Sequence, residues 1–116
     1  MMNSEKTVAR VEYVVQQVLD KERVLGYESV DDTSNMLHIG IALSNGLGEQ
    51  GRGYFHQVNS VRNNYDKGYG DKLYNDCLEV RKPNGKITIS PFFDLAEEAG
   101  LNVILPGTES CRVKPI

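Results

Sequence analysis

The sequence predicts one α+β domain spanning residues 1–116, in which an N-terminal amphipathic helix and a short helix in the C-terminal half pack on a mostly antiparallel sheet. Three observations predict this class. Apolar residues recur at helical spacing near the N-terminus, they run together or alternate in the middle of the chain, and a second helical stretch follows residue 90.

The composition indicates an ordinary globular protein. A chain of 116 residues buries roughly 65% of the surface that its unfolded form exposes, which is enough for a hydrophobic core. The net charge of -3 makes nucleic-acid binding unlikely, because such binding needs an excess of Lys and Arg. No signal-like stretch and no apolar run of about 20 residues is found, so we expect a cytoplasmic protein without a membrane span. Cys77 and Cys111 are expected to be reduced thiols.

The first predicted helix runs from Ser4 to Leu25. Ser4 is the expected N-cap and Gly26 the expected residue after the helix. The apolar stripe has alternating spacings of three and four residues and consists of Val8, Val11, Val15, Val18 and Leu25. We expect this stripe to pack on the sheet of the same domain. The alternative is a coiled-coil-like dimer, although the seam is shorter than three heptads.

The sheet is predicted from apolar stretches after Gly26. A short strand is expected at 27–30, followed by a polar turn. The run "MLHIGIAL" at 36–43 is apolar nearly throughout, which is typical of a central strand, and 54–61 is interpreted as the strand after it.

The C-terminal half is predicted to contain a hairpin, a helix and two short strands. Residues 78–81 and 87–89 alternate around the turn residues Pro83-Asn84-Gly85. A helix then begins at Ser90, as N-cap, and is ended by Gly100 with Leu101 packing back on it. Short strands are expected at 102–105 and 110–114.

A glycine motif lies between the two central predicted strands. Residues 46–51 form a G-x-G-x-x-G pattern, Gly46-Leu47-Gly48-Glu49-Gln50-Gly51. A dinucleotide-binding fold would require a helix directly after this motif, and residues 54–61 show no helical period. The motif is therefore interpreted as a strand–loop–strand connection whose backbone N–H groups approach an anion.

The region 45–74 concentrates glycine, tyrosine and arginine, a mixture that suits a planar anionic ligand. We expect Arg52 and Arg62 to meet the negative charge, and Tyr54 or Tyr65 to stack on a ring. The predicted ligand-binding residues are Asn45, Gly46, Gly48, Gly51, Arg52, Gly53, Tyr54, His56, Arg62 and Tyr65.

The sequence favours a protein that is not an enzyme. Of the two histidines, His38 lies among apolar residues and is expected to be a hydrogen-bonded core residue, whereas His56 is better placed for a site. No nucleophile has a base beside it, and no group of residues has metal-ligand spacing. We therefore predict no catalytic residue, no metal site and no cofactor.

Two hypotheses of function follow. In the first, a homo-oligomeric cytoplasmic protein captures a nucleotide-like or other anionic small ligand with region 45–74. In the second, the same surface belongs to an adaptor or inhibitor domain that docks another protein, because tyrosine and arginine are also enriched at protein interfaces.

Overall fold

Most residues that the structure describes lie in helices. The computed structural model describes residues 4–27, 29–63, 65–80 and 89–104. Five α-helices and a 3₁₀ turn, Gly48–Gln50, follow in the order α1 (Ser4–Lys21), α2 (Asp32–Leu47), α3 (Gly51–Asn59), α4 (Lys67–Val80) and α5 (Ser90–Glu98). The described residues contain no β-strand, so the predicted α+β class with its antiparallel sheet is wrong.

Helix α1 carries the predicted apolar stripe, which is half-buried at Val8 and buried from Val11 onward. Val11, Val14, Val15 and Val18 are at most 4% exposed. The helix ends at Lys21, earlier than predicted, because Glu22 adopts a positive φ of 53°. Leu25 is still buried, but it reaches the core from the segment after the helix. The stripe packs among other helices and not on a sheet.

Helix α2 is the centre of the fold, and the predicted strand at 36–43 lies inside it. It contacts α3, α4 and α5, so it is buried on several sides. Asp31 caps its N-terminus by accepting a hydrogen bond from the Ser34 N–H at 2.8 Å. A helix surrounded by other helices is apolar nearly all round, and a short run of that kind has the same apolar pattern as a buried strand.

Helix α3 replaces the predicted strand at 54–61. Its buried residues are Gly51, Phe55, Val58 and Asn59, which recur at helical spacing. Two of the four are not apolar, so a count of apolar residues alone misses the period. The predicted connection of strand, glycine loop and strand is therefore wrong, because helices lie on both sides of the 3₁₀ turn.

The predicted short strand at 27–30 is also absent from the residues described there. The buried side chain of Asn35 holds this segment instead. Its Oδ1 accepts from the Tyr27 N–H at 3.0 Å, and its Nδ2 donates to the carbonyls of Tyr27 at 3.2 Å and Val30 at 3.1 Å. One amide side chain thus supplies hydrogen bonds that a strand would have supplied.

Helix α4 includes residues 78–80, which were predicted to begin the first strand of a hairpin. That strand is wrong for these three residues, and 81–88, with the predicted turn, lie outside the described part of the chain. Helix α4 packs closely on α2. A Cβ atom added at Gly40 would lie 2.7 Å from the Cys77 Sγ, so glycine is needed for this approach.

Helix α5 is confirmed as a helix over Ser90–Glu98. It begins one residue earlier than predicted, since Ile89 and not Ser90 is the N-cap residue. Its end is as predicted. Gly100 has a φ of 86°, and the Leu101 N–H donates to the Ala96 carbonyl at 2.9 Å, as in a Schellman motif.

The segment after α5 lies along α1 without forming a strand in residues 101–104. The Gln17 side-chain amide donates to the Asn102 carbonyl at 2.8 Å and accepts from the Asn102 N–H at 3.0 Å. The Arg10 Nε donates to the Val103 carbonyl at 2.8 Å. Two side chains of α1 thus hold a segment that was predicted to be a strand. The predicted strand at 110–114 lies outside the described residues.

All five helices contribute to one hydrophobic cluster. Val14, Ile39, Phe55, Tyr74 and Phe92, one from each helix, have no exposed surface. Within the described ranges, no helix has both the length and the apolar character that crossing a membrane requires.

Candidate functional site

The glycine motif forms a helix–turn–helix junction. Gly46 lies in α2 with the Ile89 side chain packed against it, Gly48 opens the 3₁₀ turn, and Gly51 begins α3. Gly48 has a φ of 61° and donates its N–H to the Ser44 carbonyl, which ends α2. The N–H groups of Gly48 and Gly51 are therefore used in helix and turn hydrogen bonds.

Tyr74 contacts two of these glycines and leaves no room for a side chain at Gly51. Its hydroxyl donates to the Gly48 carbonyl at 2.6 Å and occupies the space that a Cβ atom at Gly51 would need. Gly53 differs, since no atom lies within 4 Å of the position of an added Cβ. Asn45 donates its side-chain amide to the Ile41 carbonyl at 2.9 Å, within α2.

The Arg52 guanidinium is surrounded by acceptors of the protein itself. It donates to the Glu49 carboxylate at 2.5 and 3.1 Å, to the Asp71 carboxylate at 3.1 Å and to the Asn75 Oδ1 at 2.7 Å. A longer bond of 3.4 Å reaches the Asp71 carbonyl. The hydrogen bonds that Arg52 donates to Glu49, and then the one that it donates to Asp71, raise the pKa of Arg52. Arg52 thus joins α3 to α4.

Arg62 is buried and bonded in a similar way. Its Nε donates to the Asn59 Oδ1 at 2.7 Å, one Nη donates to Asp32 at 3.0 Å, and the other donates to the Leu25 carbonyl. Burial lowers the pKa of Arg62, and the Asp32 carboxylate acts in the opposite direction. The structure therefore places Arg62 between α2, α3 and the segment before α2.

Tyr54 connects α3 to α1. Its hydroxyl donates to the Glu12 carboxylate at 2.7 Å. Burial, followed by the hydrogen bond and the charge of Glu12, raises the pKa of Tyr54 to about 12. Tyr65, in contrast, bonds to His56.

His56 and Tyr65 are brought together with Asp71, which the sequence analysis did not select. The His56 Nε2 lies 2.7 Å from the Asp71 Oδ1, and the His56 Nδ1 lies 2.6 Å from the Tyr65 hydroxyl. Hydrogen bonds from His56, and then from Arg52, lower the pKa of Asp71. These three side chains form a continuous chain of hydrogen bonds between α3 and α4.

A pocket of about 340 Å³ lies beside this chain of hydrogen bonds. Its lining consists of His56, Gln57, Ser60, Tyr65 and Lys67. Each of these side chains bears a hydrogen-bonding group, Lys67 adds a positive charge, and none is a carboxylate. We call this the α3–α4 pocket.

Two other pockets of the described part have acidic linings. One of about 160 Å³ includes Asp32 and Asp66, and another of about 250 Å³ includes Asp32. Arg62 lines both of them, but its guanidinium already donates to Asp32. The α3–α4 pocket is therefore the better place for an anion.

The sequence analysis missed Gln57, Ser60 and Lys67. Residues 56, 57 and 60 share one face of a helix, a relation that is invisible when 54–61 is interpreted as a strand. A helical interpretation of this stretch would have placed Gln57 and Ser60 beside His56. Lys67 is brought to them by the short connection between α3 and α4.

Groups that could hold a metal ion, with three or more His, Cys, Asp or Glu side chains, are absent from the described residues. Comparison with protein-family models, with curated proteins and with solved structures finds no match to this chain. Any functional conclusion therefore rests on the geometry of its own side chains.

Proposed function

We propose that this protein is a non-enzymatic binding protein of the cytoplasm that captures a small anionic ligand, nucleotide-like or otherwise, in the α3–α4 pocket. The observation that carries the proposal is the lining of that pocket. Five side chains that bear polar groups, among them Lys67 and His56, line an open depression of about 340 Å³, and none of the five is a carboxylate. This volume is at the lower end of the roughly 300–1,000 Å³ that ligand pockets occupy.

Four of the five lining residues have a defined role toward the ligand in the proposal. Lys67 meets the negative charge of the ligand, and Gln57 and Ser60 offer further hydrogen bonds. Tyr65 offers both a ring and a hydroxyl group. Arg52 acts indirectly, because its guanidinium holds Asp71 and thereby supports His56.

The first test is native mass spectrometry of protein purified gently from cells, followed by the same measurement under denaturing conditions. We expect a small acidic compound to remain on the native protein and to be lost on denaturation. The same spectrum gives the number of subunits, and the homo-oligomer stays a prediction until then. A native mass equal to that of the bare chains would contradict capture of a ligand.

The second test compares two lysines of α4 by titration calorimetry with the retained compound. Lys67→Met removes the positive charge of the pocket, and we expect the affinity to fall by about tenfold or more, the value of one charge-assisted hydrogen bond. Lys72→Met is the matched control, since Lys72 is exposed on the same helix but does not line the pocket. Equal affinities of the two variants would contradict the assignment of Lys67.

Docking of a protein is the second candidate function, and exposed tyrosine favours it. Tyr69 is 44% exposed and lies beside Tyr65 in the lining of the neighbouring acidic pocket. Tyrosine is enriched at protein interfaces. Two results together would favour this candidate over the first. A cell extract would protect region 45–74 from an added protease, and no small anion would raise the melting temperature.

A further inference from the structure

The α3–α4 pocket has an aromatic wall that is fixed in place. The ring centroids of His56 and Tyr65 lie 6.1 Å apart and their planes meet at 57°, which is typical of interacting aromatic pairs. The Tyr65 hydroxyl lies 2.6 Å from the His56 Nδ1 and fills the space that a Cβ atom at Gly70 would need. Because the hydroxyl is engaged in this way, the ring is the part of Tyr65 that we assign to the ligand.

Lys67 is the one lysine or arginine in the lining of the pocket. It is exposed, and its amino group forms no ion pair with the part of the chain that the structure describes. Arg52 and Arg62 do not add to its charge, because each donates to carboxylates of the protein itself. Lys67 can therefore balance one negative charge of a ligand.

A second negative charge on the ligand would meet carboxylates near the pocket. Asp71 is bonded to the imidazole of the lining, and Asp66 lies directly before α4. Their charges reach the pocket wall, since burial, followed by the charges of Asp71 and Asp66, raises the pKa of Tyr65 to about 12. The Asp66 Oδ1 also accepts from the Gly68 N–H at 3.2 Å, so the first turn of α4 already has its own carboxylate.

We infer that the ligand of the α3–α4 pocket is a ring-bearing compound with one negative charge, an aromatic carboxylate or sulfate ester, whose ring packs on His56 and Tyr65 and whose charge meets Lys67. The inference rests on the proposed function and narrows it. Nucleotides and inorganic phosphate carry more charge and are held by several N–H donors, whereas here the N–H groups of Gly48 and Gly51 are used within the fold.

The test is titration calorimetry of the full chain at low salt with four defined probes. Phenyl sulfate and benzoate each bear a ring and one negative charge. Phenyl phosphate has the shape of phenyl sulfate but carries two charges at about pH 8, because the second pKa of a phosphate ester is about 6. Methyl sulfate keeps the charge and lacks the ring. We expect phenyl phosphate and methyl sulfate to bind at least about fivefold more weakly than phenyl sulfate.

Variants of two tyrosines test the aromatic wall. Tyr65→Leu removes the ring and is expected to weaken the binding of phenyl sulfate by about threefold to tenfold. Tyr65→Phe keeps the ring without the hydroxyl and should stay within about twofold of the native affinity. Tyr69→Leu is the control, because Tyr69 is exposed and lines the neighbouring acidic pocket but not this one.

Asp66→Asn tests the selection by charge. Asparagine caps a helix as well as aspartate does, so the variant removes the charge and keeps the start of α4. We expect the affinity for phenyl phosphate to rise by about twofold to fivefold relative to that for phenyl sulfate. Asp76→Asn is the matched control, since Asp76 is an exposed residue of α4 that does not line the pocket.

Each outcome decides the inference. Tighter binding of phenyl sulfate or benzoate than of the other two probes, weakened by Tyr65→Leu and not by Tyr69→Leu, supports it. Binding of phenyl phosphate or methyl sulfate as tight as that of phenyl sulfate, or an equal loss in both leucine variants, overturns it and leaves the proposed function standing. Absence of binding by all four probes overturns the ligand class, whereas the native mass spectrum alone decides whether any ligand is retained.

Discussion

Arg52 and Arg62 show how single side chains of this protein are used by the fold itself. The Arg62 guanidinium is bonded to Asn59, Asp32 and the Leu25 carbonyl, and its side chain is only 3% exposed. A buried cation needs such partners, because removal from water costs several kcal/mol that unpaired charges do not recover. Both arginines resemble ligand-binding residues in the sequence, yet their partners are internal.

Gly51 and Gly53 differ in the space around them, and substitution by alanine should affect stability in opposite directions. In Gly51→Ala the new methyl group meets the Tyr74 hydroxyl and lies 3.0 Å from the Leu43 carbonyl. Because Tyr74 is a buried ring bonded to Gly48, it moves only at a cost. We expect a loss of about 1–3 kcal/mol in the free energy of unfolding.

Gly53→Ala is the matched variant, two residues further along α3. An added methyl group there meets no atom within 4 Å. We expect a gain of about 0.5–1 kcal/mol, because alanine loses less backbone entropy in a helix than glycine does. Urea unfolding followed by circular dichroism measures both variants. Equal effects of the two substitutions would contradict the close contact at Gly51.

Helices α3 and α4 are held together by a polar contact beside their apolar one. Arg52 and His56 project from α3 to the same oxygen of Asp71 on α4, at 3.1 and 2.7 Å. Tyr65, in the connection between the helices, bonds to the other nitrogen of His56. The wall of the α3–α4 pocket therefore depends on the position of α4 relative to α3.

The contact through Asp71 predicts a pH dependence of stability. The pKa of Asp71 is lower in the folded chain than in the unfolded one, where it is about 3.9. Its contribution is therefore fully present above about pH 4 and is lost as the pH falls through the folded value. In Asp71→Asn we expect a shallower loss of stability at acidic pH than in the native protein.

Urea unfolding at a series of pH values below about pH 6 measures this difference. Asp76→Asn is the control, since Asp76 is an exposed residue of the same helix. The control should follow the curve of the native protein. Parallel curves for Asp71→Asn and the native protein would show that the contact does not stabilise the fold.

The molecule as a whole depends on the burial of α2. This helix contacts α3, α4 and α5, and its residue Ile39 has no exposed surface. Because side chains from all five helices share one cluster with it, loss of packing at Ile39 affects the entire core. Such a core favours unfolding in a single cooperative transition.

Ile39→Ala is therefore expected to lower the free energy of unfolding by about 2–5 kcal/mol, the usual cost of a cavity in a core. Circular dichroism and tyrosine fluorescence, which reports on the chain since it contains no Trp, should give the same transition. Ile104→Ala is the control, because Ile104 is 56% exposed, and it should change stability by about 0.5 kcal/mol or less. Separate transitions for the two probes would contradict a single core.

Local signals in the sequence identified two helices, and residue types identified part of the site. The valine stripe of α1 and the stop at Gly100 were readable because helical period and capping act over a few neighbouring residues. His56 and Tyr65 were selected from their residue types and from their place after the glycines. Their mutual hydrogen bond was not predictable, because it depends on where α3 and α4 lie in space.

The sequence by itself determined where apolar side chains, caps and glycines fall along the chain, since these are local properties. Only the tertiary structure decided that the run at 36–43 is a central helix, because apolar residues on several of its sides, and on its half-buried margins, hide the periodicity that distinguishes a helix from a strand. His38, expected in the core, is the exposed residue of this run. The tertiary structure also decided that Arg62 is a structural residue and that Lys67 lines the pocket. Both outcomes follow from contacts between segments that are distant in sequence, and no local pattern contains such contacts.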